Sequence, residues 1–583
     1  FYREIAWSPD SKKIVFSDKR LSIWIADLEK GVAKKIDTSQ YSYQDQFYPA
    51  WSADGRWLAY TKCHRNRLRT IYIYDPETGR ARQITDGVVH AEFPVFDRSG
   101  KYLYFTSSAT AGASEFGWGV LSGMMARPLV TRRLHAILLQ NDTPSPILSN
   151  NQPNPEANVK GATSARIDFD GIERRVATFP MEARDYAELV PGKAGVVFAL
   201  VTEWPKAPGL GGGSETSALY RYDITKPRDF EKLVEAPSAD IFSQDGSRLL
   251  YRKGQNWFLV STDAPPKADE GKLDLKLEAA IDPRAEWRQI YHEAWRMMRD
   301  WFYDPNHHGQ NIKELEKHYG DYLPGVARRR DLNVMMRVAL GYISVSHLGV
   351  GGGDIPQPAA TQWRVGLLGA DYRINQGRYQ FARVLRSGHF TASNPLLRAP
   401  LDQPGMNVKE GEYLLAVDGQ EITASKNIYS YFDGKTGAMK LTIGPAPDGK
   451  AARTITVIPW PGEQGLRRAN WAERNRRIVE ERSGGKIGYI YVSDFGQEGI
   501  QDFYRGLYGY RDNKQAIIID ERFNGGGVTS DALIEMLKRE PLFYYRFREG
   551  DDIGTPTNAV LMPKVLIINE SDFSAAETFP FMF

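Results

Sequence analysis

Three residue patterns in this chain of 583 residues could together hydrolyse an acyl bond. A serine, Ser574, follows an apolar strand pattern at 565–569 and stands at the start of a helix pattern. The run Asn-Gly-Gly-Gly at 524–527 follows a second apolar pattern, 516–520, and leaves its backbone N–H groups unshielded. The pair Ser-His at 346–347 offers an imidazole base. A serine nucleophile needs a base, and the oxyanion it creates needs N–H donors, so the sequence predicts a serine hydrolase.

Each pattern also has a simpler explanation when it is taken alone. Ser574 is explained as a helix N-cap, and Ser571 or Asp572 would serve the same purpose. The glycines are explained by a turn that requires positive φ. The pair His307-His308 offers a rival base in a turn. Parallel strands would bring the turns after 520 and 569 to one sheet edge, which favours a joint function.

Composition and missing motifs exclude several other classes of protein. The net charge is +3 without basic runs, so no nucleic-acid binding is predicted. The single cysteine, Cys63, excludes an intrachain disulfide and a cysteine-based metal cluster. His292-Glu293 lacks the second histidine of a zinc HExxH motif, and no GxSxG elbow occurs. We therefore predict no metal, no cofactor and, without a long apolar run, no membrane span.

The first 265 residues contain an imperfect repeat. Its aromatic positions 7, 51 and 96 begin turns rich in Ser and Asp, each turn precedes a short apolar strand, and a weaker copy begins at Phe242. A period in the forties with such turns is typical of propeller blades, which must stack because one blade cannot bury both faces. We predict about four to six blades over 1–265. Loops are predicted at 112–123, 150–158 and 209–213.

Three further regions follow the repeat. Residues 266–353 begin as a polar linker and continue as helical patterns that end at Ser346-His347. Residues 354–461 are β-rich, and their Gly-Glu turn, apolar strand and Asp-Gly hairpin resemble a PDZ domain. Residues 462–583 alternate helices, at 467–481 and 497–508 among others, with apolar strands, which predicts an α/β layer structure carrying Gly527 and Ser574.

The order of these regions resembles one known family. Propeller blades, a helical segment ending in Ser-His, a PDZ-like insertion, Asn-Gly-Gly-Gly after a strand, and Asn-Glu-x-x-x-Ser after another strand follow the order of the tricorn proteases. These form the tricorn branch of the C-terminal processing serine peptidases. The resemblance covers the whole chain and is strongest over 286–306 and 517–583. It implies a multidomain fold of propeller, helical segment, PDZ-like domain and α/β peptidase core.

The resemblance also implies a role for individual residues. The catalytic and binding residues it implies are the nucleophile Ser574, the general base His347, Ser346 as the link from the histidine to a glutamate, the N–H groups of Gly527 and Ala575 as the oxyanion hole, and Gly526 and Tyr545 as substrate-binding residues.

Two features depart from the family pattern. The family's glutamate lies well beyond the nucleophile, so we expect it beyond residue 583 and assign no fourth catalytic residue. Tyr545 stands where the archaeal pattern has an aspartate that selects a basic P1 side chain. A tyrosine cannot pair with Lys or Arg as a carboxylate does, so we expect an apolar or mixed P1 preference.

The resemblance implies a serine endopeptidase that hydrolyses oligopeptides or unfolded proteins, with the propeller as a substrate filter. It further implies a homo-oligomeric ring, a hexamer, in the cytoplasm. No signal peptide pattern is visible, but residue 1 lies within a repeat, so the periplasm is the alternative compartment. The alternative function is a catalytically inactive propeller and PDZ scaffold that binds peptides.

Overall fold

The computed structural model describes residues 1–40, 46–66, 68–108, 132–148, 154, 165–203, 216–226, 230–354, 364–386, 398–511, 513–556 and 559–583. These residues form two compact units. The first contains the described residues up to Pro305, and the second those from Asn306 to Phe583. The predicted loops at 112–123 and 209–213, and that at 150–158 apart from Asn154, lie outside the described residues.

The first unit is built from short strands that pair antiparallel in chain order. Its strands are β1 (Tyr2–Trp7), β2 (Lys13–Asp18), β3 (Ser22–Asp27), β4 (Val32–Thr38), β5 (Ala50–Trp51), β6 (Leu58–Cys63), β7 (Arg69–Asp75), β8 (Arg80–Gln83), β9 (His90–Phe96), β10 (Tyr102–Ser108), β11 (Arg133–Leu138), β12 (Val176–Thr178), β13 (Asp185–Pro191), β14 (Val196–Glu203), β15 (Thr216–Asp223), β16 (Phe230–Glu235), β17 (Ala239–Phe242), β18 (Arg248–Lys253) and β19 (Asn256–Ser261). They form the four-stranded sheets β1–β4, β5–β8, β9–β12 and β13–β16 and the three-stranded sheet β17–β19. Each sheet is an up-and-down meander, as the blade prediction requires.

The repeated sequence motif forms one turn that connects the first two strands of a sheet. In the second sheet, the Ser52 hydroxyl contacts Asp54 at 2.5 Å and accepts the Trp57 N–H at 2.9 Å. The same pattern recurs at Ser8 and Ser243, where Lys13 and Arg248 supply the N–H. The serine hydroxyl therefore closes a five-residue turn, which explains why Ser and Asp recur with the aromatic residue.

The apolar cores lie between consecutive sheets. Val15 of the first sheet packs with Leu58 of the second, and the opposite face of the second sheet packs with the third. Further clusters join the third sheet to the fourth and the fourth to the fifth. The second, third and fourth sheets thus bury both faces because each has a neighbouring sheet on either side, which is the physical basis of a stacked-blade architecture.

A buried ionic cluster connects three of these sheets. Both carboxylate oxygens of Glu92 in β9 are paired, one with Arg69 and with His90 at 3.2 Å, the other with Arg132 at 2.8 Å. Arg132 also contacts Asp185 of the next sheet at 3.5 Å. Burial alone would raise the pKa of Glu92, but the hydrogen bond from His90 and the two guanidinium charges lower it to about 2. The carboxylate therefore stabilises the fold in its charged form.

A helix, α1 (Pro283–Trp301), completes the first unit. Asp282 caps its N-terminus by accepting the N–H groups of Arg284 and Ala285 at 3.0 and 3.2 Å, and Pro283 occupies the first turn. At its other end Trp301 packs edge-to-face against Phe1, with ring centroids 5.4 Å apart. This helix therefore packs against the first strand of the chain.

The second unit contains six α-helices and eleven strands in its described part. The helices are α2 (Ile312–Gly320), α3 (Arg329–Gly341), α4 (Gln464–Arg482), α5 (Gln497–Tyr510), α6 (Ser530–Leu537) and α7 (Ala575–Met582). The strands are β20 (Ala370–Asn375), β21 (Arg378–Val384), β22 (Tyr413–Val417), β23 (Gln420–Glu421), β24 (Met439–Gly444), β25 (Arg453–Val457), β26 (Ile487–Tyr491), β27 (Ala516–Asp520), β28 (Phe543–Tyr545), β29 (Ile553–Thr555) and β30 (Lys564–Ile567). Within the described ranges, every helix is either too short or too polar to span a lipid bilayer.

Strands β20–β25 form an antiparallel sheet around its own apolar core. The predicted Asp-Gly hairpin is confirmed, because β22 and β23 pair with Val417 opposite Gln420. Asp418 and Gly419 both have positive φ, 48° and 82°, as a two-residue hairpin turn of this type demands. The PDZ-like segment therefore has a sheet and core of its own.

A parallel three-stranded sheet in the order β26-β27-β30 forms the α/β part of the second unit. Ile517 pairs with Lys564 and Asp520 pairs with Ile567, so β27 and β30 end at the same level. The two predicted turns therefore leave the same edge of one sheet. Helices α4 and α5 pack against β26.

Glu92→Gln is expected to lower the free energy of unfolding of the first unit by about 2–4 kcal/mol at pH 7, because it removes the carboxylate charge that pairs with two buried guanidinium groups, those of Arg69 and Arg132. The loss should shrink as the pH falls from about 4.5 towards 2, where the wild-type carboxylate itself takes up a proton. Urea midpoints measured by pulse proteolysis test this. Glu77→Gln is the matched control, since the Glu77 pair with Arg56 is exposed. An equal effect of both substitutions would contradict the prediction.

Candidate active site

The two turns that follow β27 and β30 are held against each other by hydrogen bonds. The Phe573 N–H donates to the Asn524 carbonyl at 3.1 Å, and the Phe523 N–H donates to the Asn569 side chain at 3.0 Å. The Asn524 side chain turns inward, donating to the Val492 carbonyl at 3.1 Å. Both asparagines stand just beyond the end of a strand, so their amides satisfy backbone groups that the sheet leaves unpaired.

Ser574 occupies the point where the second turn becomes a helix. It is the N-cap residue of α7, as the simpler interpretation of this serine also required. Its backbone, at φ 64° and ψ −121°, lies in a region that non-glycine residues rarely adopt, at a cost of about 1–3 kcal/mol. Its N–H donates to the Glu577 carboxylate at 3.0 Å. The Ser574 hydroxyl contacts the imidazole of His347.

His347 comes from a part of the chain 227 residues earlier and reaches the Ser574 hydroxyl. Its Nε2 lies 3.0 Å from Ser574 Oγ, and its Nδ1 lies 3.2 Å from Ser346 Oγ. The ring of Phe573 stacks on the imidazole, with centroids 4.4 Å apart and an interplanar angle of 28°. Hydrogen bonds at both nitrogens and an aromatic ring on one face fix the plane of the imidazole.

The loop that carries His347 is supported by helix α3. Arg337 donates to the Val350 carbonyl at 2.9 Å, and Asn333 donates to the Gly352 carbonyl at 2.9 Å. These two side chains are four residues apart and so lie on one face of the helix. The rival base His308 instead contacts the Ile343 carbonyl at 2.9 Å through Nδ1.

The glycine turn approaches Ser574 so closely that a side chain would not fit. A Cβ on Gly526 would lie 2.6 Å from Ser574 Cβ and 3.1 Å from the Ala575 nitrogen, and its φ is +83°. The Gly526 carbonyl accepts the Phe495 N–H at 2.8 Å. Since C=O and N–H point in opposite directions across a trans peptide, the Gly527 N–H points away from Phe495. Gly526 and Ala575 are thus brought together next to Ser574.

The turn that follows β27 contains a buried carboxyl group that sequence reasoning missed. Glu521, directly after β27, has no exposed surface. Burial, followed by the charges of Asp572 and Asp520, raises its pKa to about 8. Asp520 itself binds Arg522 at 2.6 Å and the Tyr489 hydroxyl at 2.6 Å. The only signal in the sequence was a Glu directly after an apolar strand.

One predicted site residue is not brought to Ser574 by any contact in the described part of the chain. Tyr545 lies in β28, which pairs with β29 in a two-stranded hairpin, and 54% of its surface is exposed. Its ring packs edge-to-face on Phe543 at 5.0 Å. Its place in a P1 pocket stays a prediction.

Comparison with family models matches the chain in four consecutive segments. The models are the tricorn protease second beta propeller domain over 1–263, the tricorn protease C1 domain over 283–341, the tricorn protease PDZ domain over 366–460, and peptidase family S41 over 486–583. Ser346-His347 falls between the second and third matches, and Ser574 falls in the fourth. The matches follow the order predicted from the sequence.

Related whole proteins show the same similarity. The chain is 28% identical over 589 residues to the tricorn protease homolog of Saccharolobus solfataricus, covering 99% of this chain and 52% of that protein. It is 25% identical over 590 residues to the tricorn protease of Thermoplasma acidophilum, covering 98% and 52%. The chain thus spans about half the length of these relatives.

One solved structure has the same fold over the entire chain. The crystal structure of the tricorn protease superposes with a TM-score of 0.78 at 23% sequence identity, covering 100% of this chain and 56% of that one. The predicted fold class, with propeller blades, helical segment, PDZ-like domain and α/β peptidase core, is confirmed by this likeness and by the family models.

Gly526→Ala is expected to slow labelling of Ser574 by a fluorophosphonate about tenfold or more, because the new methyl group collides with the serine and needs an unfavourable φ. The labelling rate is read from gel fluorescence. Gly509→Ala in α5 is the matched control, since a Cβ there meets no atom within 4 Å. Equal rates in the two variants would show that Gly526 does not control access to Ser574.

Proposed function

Because this chain belongs to the tricorn-like proteases of peptidase family S41, we propose that it is a serine endopeptidase in which Ser574 attacks the peptide bond. The observation that carries this proposal is the 3.0 Å contact between His347 Nε2 and Ser574 Oγ, made across 227 residues of sequence. A serine hydroxyl becomes nucleophilic when a base at hydrogen-bonding distance accepts its proton. His347 meets that geometric requirement.

The reaction proceeds through an acyl-enzyme. Ser574 Oγ attacks the carbonyl carbon while His347 Nε2 takes the hydroxyl proton. The tetrahedral intermediate collapses, the C–N bond breaks, and His347 gives its proton to the leaving amine. A water molecule then attacks the ester in the same way, giving its proton to His347, which returns it to Ser574 as the acid product leaves. No metal or cofactor enters this sequence of steps.

The N–H groups of Gly527 and Ala575 form the oxyanion hole in this proposal. Ala575 is the first residue of α7, where a helix N–H has no partner within the helix and the helix dipole favours negative charge. Gly527 follows a peptide whose carbonyl is bound to Phe495, so its own N–H is directed to the other side. Each such donor contributes roughly two to three powers of ten in rate.

Ser346 and Phe573 keep the imidazole ready for proton transfer. A hydrogen bond from Nδ1–H to Ser346 Oγ leaves the Nε2 lone pair for the Ser574 hydroxyl. The ring of Phe573 on the imidazole face prevents rotation about the side-chain bonds of His347. Ser346 thus sets the tautomer and Phe573 the ring plane.

The substrates in this proposal are oligopeptides and unfolded proteins. The propeller filters folded proteins from the site, and the PDZ-like sheet holds an extended peptide. The working assembly is a homo-oligomeric ring, a hexamer, in the cytoplasm. The alternative, a catalytically inactive peptide-binding scaffold, is disfavoured because His347, Ser346 and Ser574 are in hydrogen-bonding contact.

Ser574→Ala and His347→Ala are each expected to abolish fluorophosphonate labelling and to lower peptide hydrolysis by about 10³-fold or more, since each removes a reacting group. His318→Ala, an exposed histidine on α2, is the matched control and should keep the wild-type rate. Hydrolysis of a fluorogenic peptide series gives the second readout. Full hydrolysis by the Ser574→Ala variant would refute the mechanism, and absence of label on the wild type would favour the scaffold.

Tyr545→Asp is expected to raise cleavage after Arg by about tenfold relative to cleavage after Leu, because a carboxylate in the P1 pocket pairs with a guanidinium. The measurement is kcat/KM over peptides that differ only at P1. Tyr544→Asp serves as the control, because neighbouring side chains of a strand point to opposite faces. An unchanged P1 profile in Tyr545→Asp would exclude this residue from the pocket.

A further inference from the structure

One carboxylate at the candidate active site connects the two turns directly. Asp572 lies two residues before Ser574, and its Oδ1 accepts the N–H of Asn524 at 3.2 Å. Its Oδ2 accepts the N–H of Asn569 at 2.8 Å. A single side chain therefore holds the start of the glycine turn beside the start of the serine turn.

The Asn524 end of this connection controls the glycine turn. The Asn524 side-chain oxygen accepts the N–H of Gly526 at 2.8 Å, and its carbonyl accepts the N–H of Phe573 at 3.1 Å. Asn524 has no exposed surface. A shift of Asn524 would therefore move Gly526, and with it the Gly527 N–H, relative to the serine.

A second carboxyl group, that of Glu521, is close enough to Asp572 for the charge of Asp572 to raise its pKa. Glu521 is completely buried, and within the described part of the chain neither of its carboxyl oxygens is hydrogen bonded. A charged carboxylate buried without a partner is strongly disfavoured, and two neighbouring carboxylates, Asp572 and Asp520, disfavour it further. The pKa of Glu521 is raised to about 8 for these reasons, so the group carries a proton at neutral pH.

The other charged and titratable groups around this pair do not neutralise it. Arg522 and the Tyr489 hydroxyl bind Asp520 on the other side of the strand end. Burial raises the pKa of Tyr491 in β26 to about 12; the positive charge of Arg468 opposes this shift, and the negative charges of Asp520, Asp572 and Asp494 add to it. Among the residues described, no Lys or Arg side chain is paired with Asp572 or Glu521.

We propose, resting on the serine peptidase mechanism above, that Asp572 is a positioning residue for the oxyanion hole and that Glu521 in its acid form allows Asp572 to hold this position. When Glu521 loses its proton, its negative charge repels that of Asp572. This repulsion moves the Asp572 carboxylate away from its two N–H donors. The N–H groups of Gly527 and Ala575 then no longer point at the same oxyanion position. The transition state is affected more than substrate binding, because only the transition state carries the oxyanion.

Asp572→Asn tests the positioning role, because it keeps the size of the side chain but turns an NH2 group towards a backbone N–H. We expect kcat to fall roughly tenfold to hundredfold, with KM changed less than about twofold. Asp448→Asn, in an exposed turn of the PDZ-like sheet, is the matched control. If Asp572→Asn does not fold, Asp572→Ser takes its place in the test. The serine hydroxyl keeps an acceptor for the N–H of Asn569 but none for the N–H of Asn524.

The pH dependence tests the role of Glu521. In the wild type, kcat at pH 9.5 is expected to be about tenfold or more below kcat at pH 7, since Glu521 ionises around pH 8. The Gln side chain cannot ionise, so in Glu521→Gln the values of kcat at pH 9.5 and at pH 7 should differ by less than about twofold. Superposable profiles of the two proteins would overturn the role of Glu521.

The outcomes separate this proposal from the proposed function. If Ser574→Ala is inactive while Asp572→Asn keeps the wild-type kcat, the serine mechanism stands and the positioning role is wrong. If Asp572→Asn raises KM with kcat unchanged, Asp572 acts in substrate binding and the proposal is also wrong. If Ser574→Ala remains active, the proposed function itself fails.

Discussion

The parallel pairing of β27 with β30 is the constraint on which the candidate site depends. The register sets Asp520 opposite Ile567, so the two chains leave the sheet side by side. The glycine turn and the serine turn then face each other over a few ångströms, and hydrogen bonds between their first residues hold them there. A slip of the register would separate Gly526 from Ser574, since a strand advances about 3.3 Å per residue.

The site contains one residue with an unfavourable backbone conformation and one carboxyl group whose burial is unfavourable. Ser574 adopts a φ of 64°, and Glu521 is buried where none of the described residues supplies a counter-charge for its ionised form. Such costs persist only where the surrounding structure fixes the conformation, and they are concentrated at functional sites. In this unit the fixing elements are the two asparagines and Asp572, whose side chains satisfy backbone N–H groups at the ends of both strands.

The sequence was sufficient for those parts of the structure that depend on local pattern. The spacing of the turns at Ser8, Ser52 and Ser243 predicted the antiparallel sheets, because one hydroxyl closes each turn in the same way. The apolar segments 516–520 and 565–569 predicted two strands, observed as β27 and β30. These elements are encoded within a few residues, so periodicity and turn chemistry reveal them.

The parts that the sequence could not give are contacts between distant or chemically ambiguous residues. Nothing near Phe573 in the sequence indicates that its ring will stack on an imidazole 226 positions earlier. Asp572 precedes a helix, and an Asp at such a position is more readily interpreted as a helix cap than as a link between two turns. Glu521 is the clearest example of a feature that the sequence does not reveal, because a Glu after a strand is normally exposed. In this structure its side chain is nevertheless completely buried.

Several individually weak contacts hold the imidazole of His347 against Ser574. Helix α3 holds the loop after His347 through Arg337 and Asn333, and Phe573 holds the imidazole plane from the serine turn. The His347 side chain is exposed, so its own burial contributes little to its position. The distance between His347 and Ser574 is consequently set by the packing of α3 and the sheet edge together. Loosening either support would lower the fraction of molecules in which the hydroxyl and the imidazole are in contact, without changing either reacting group.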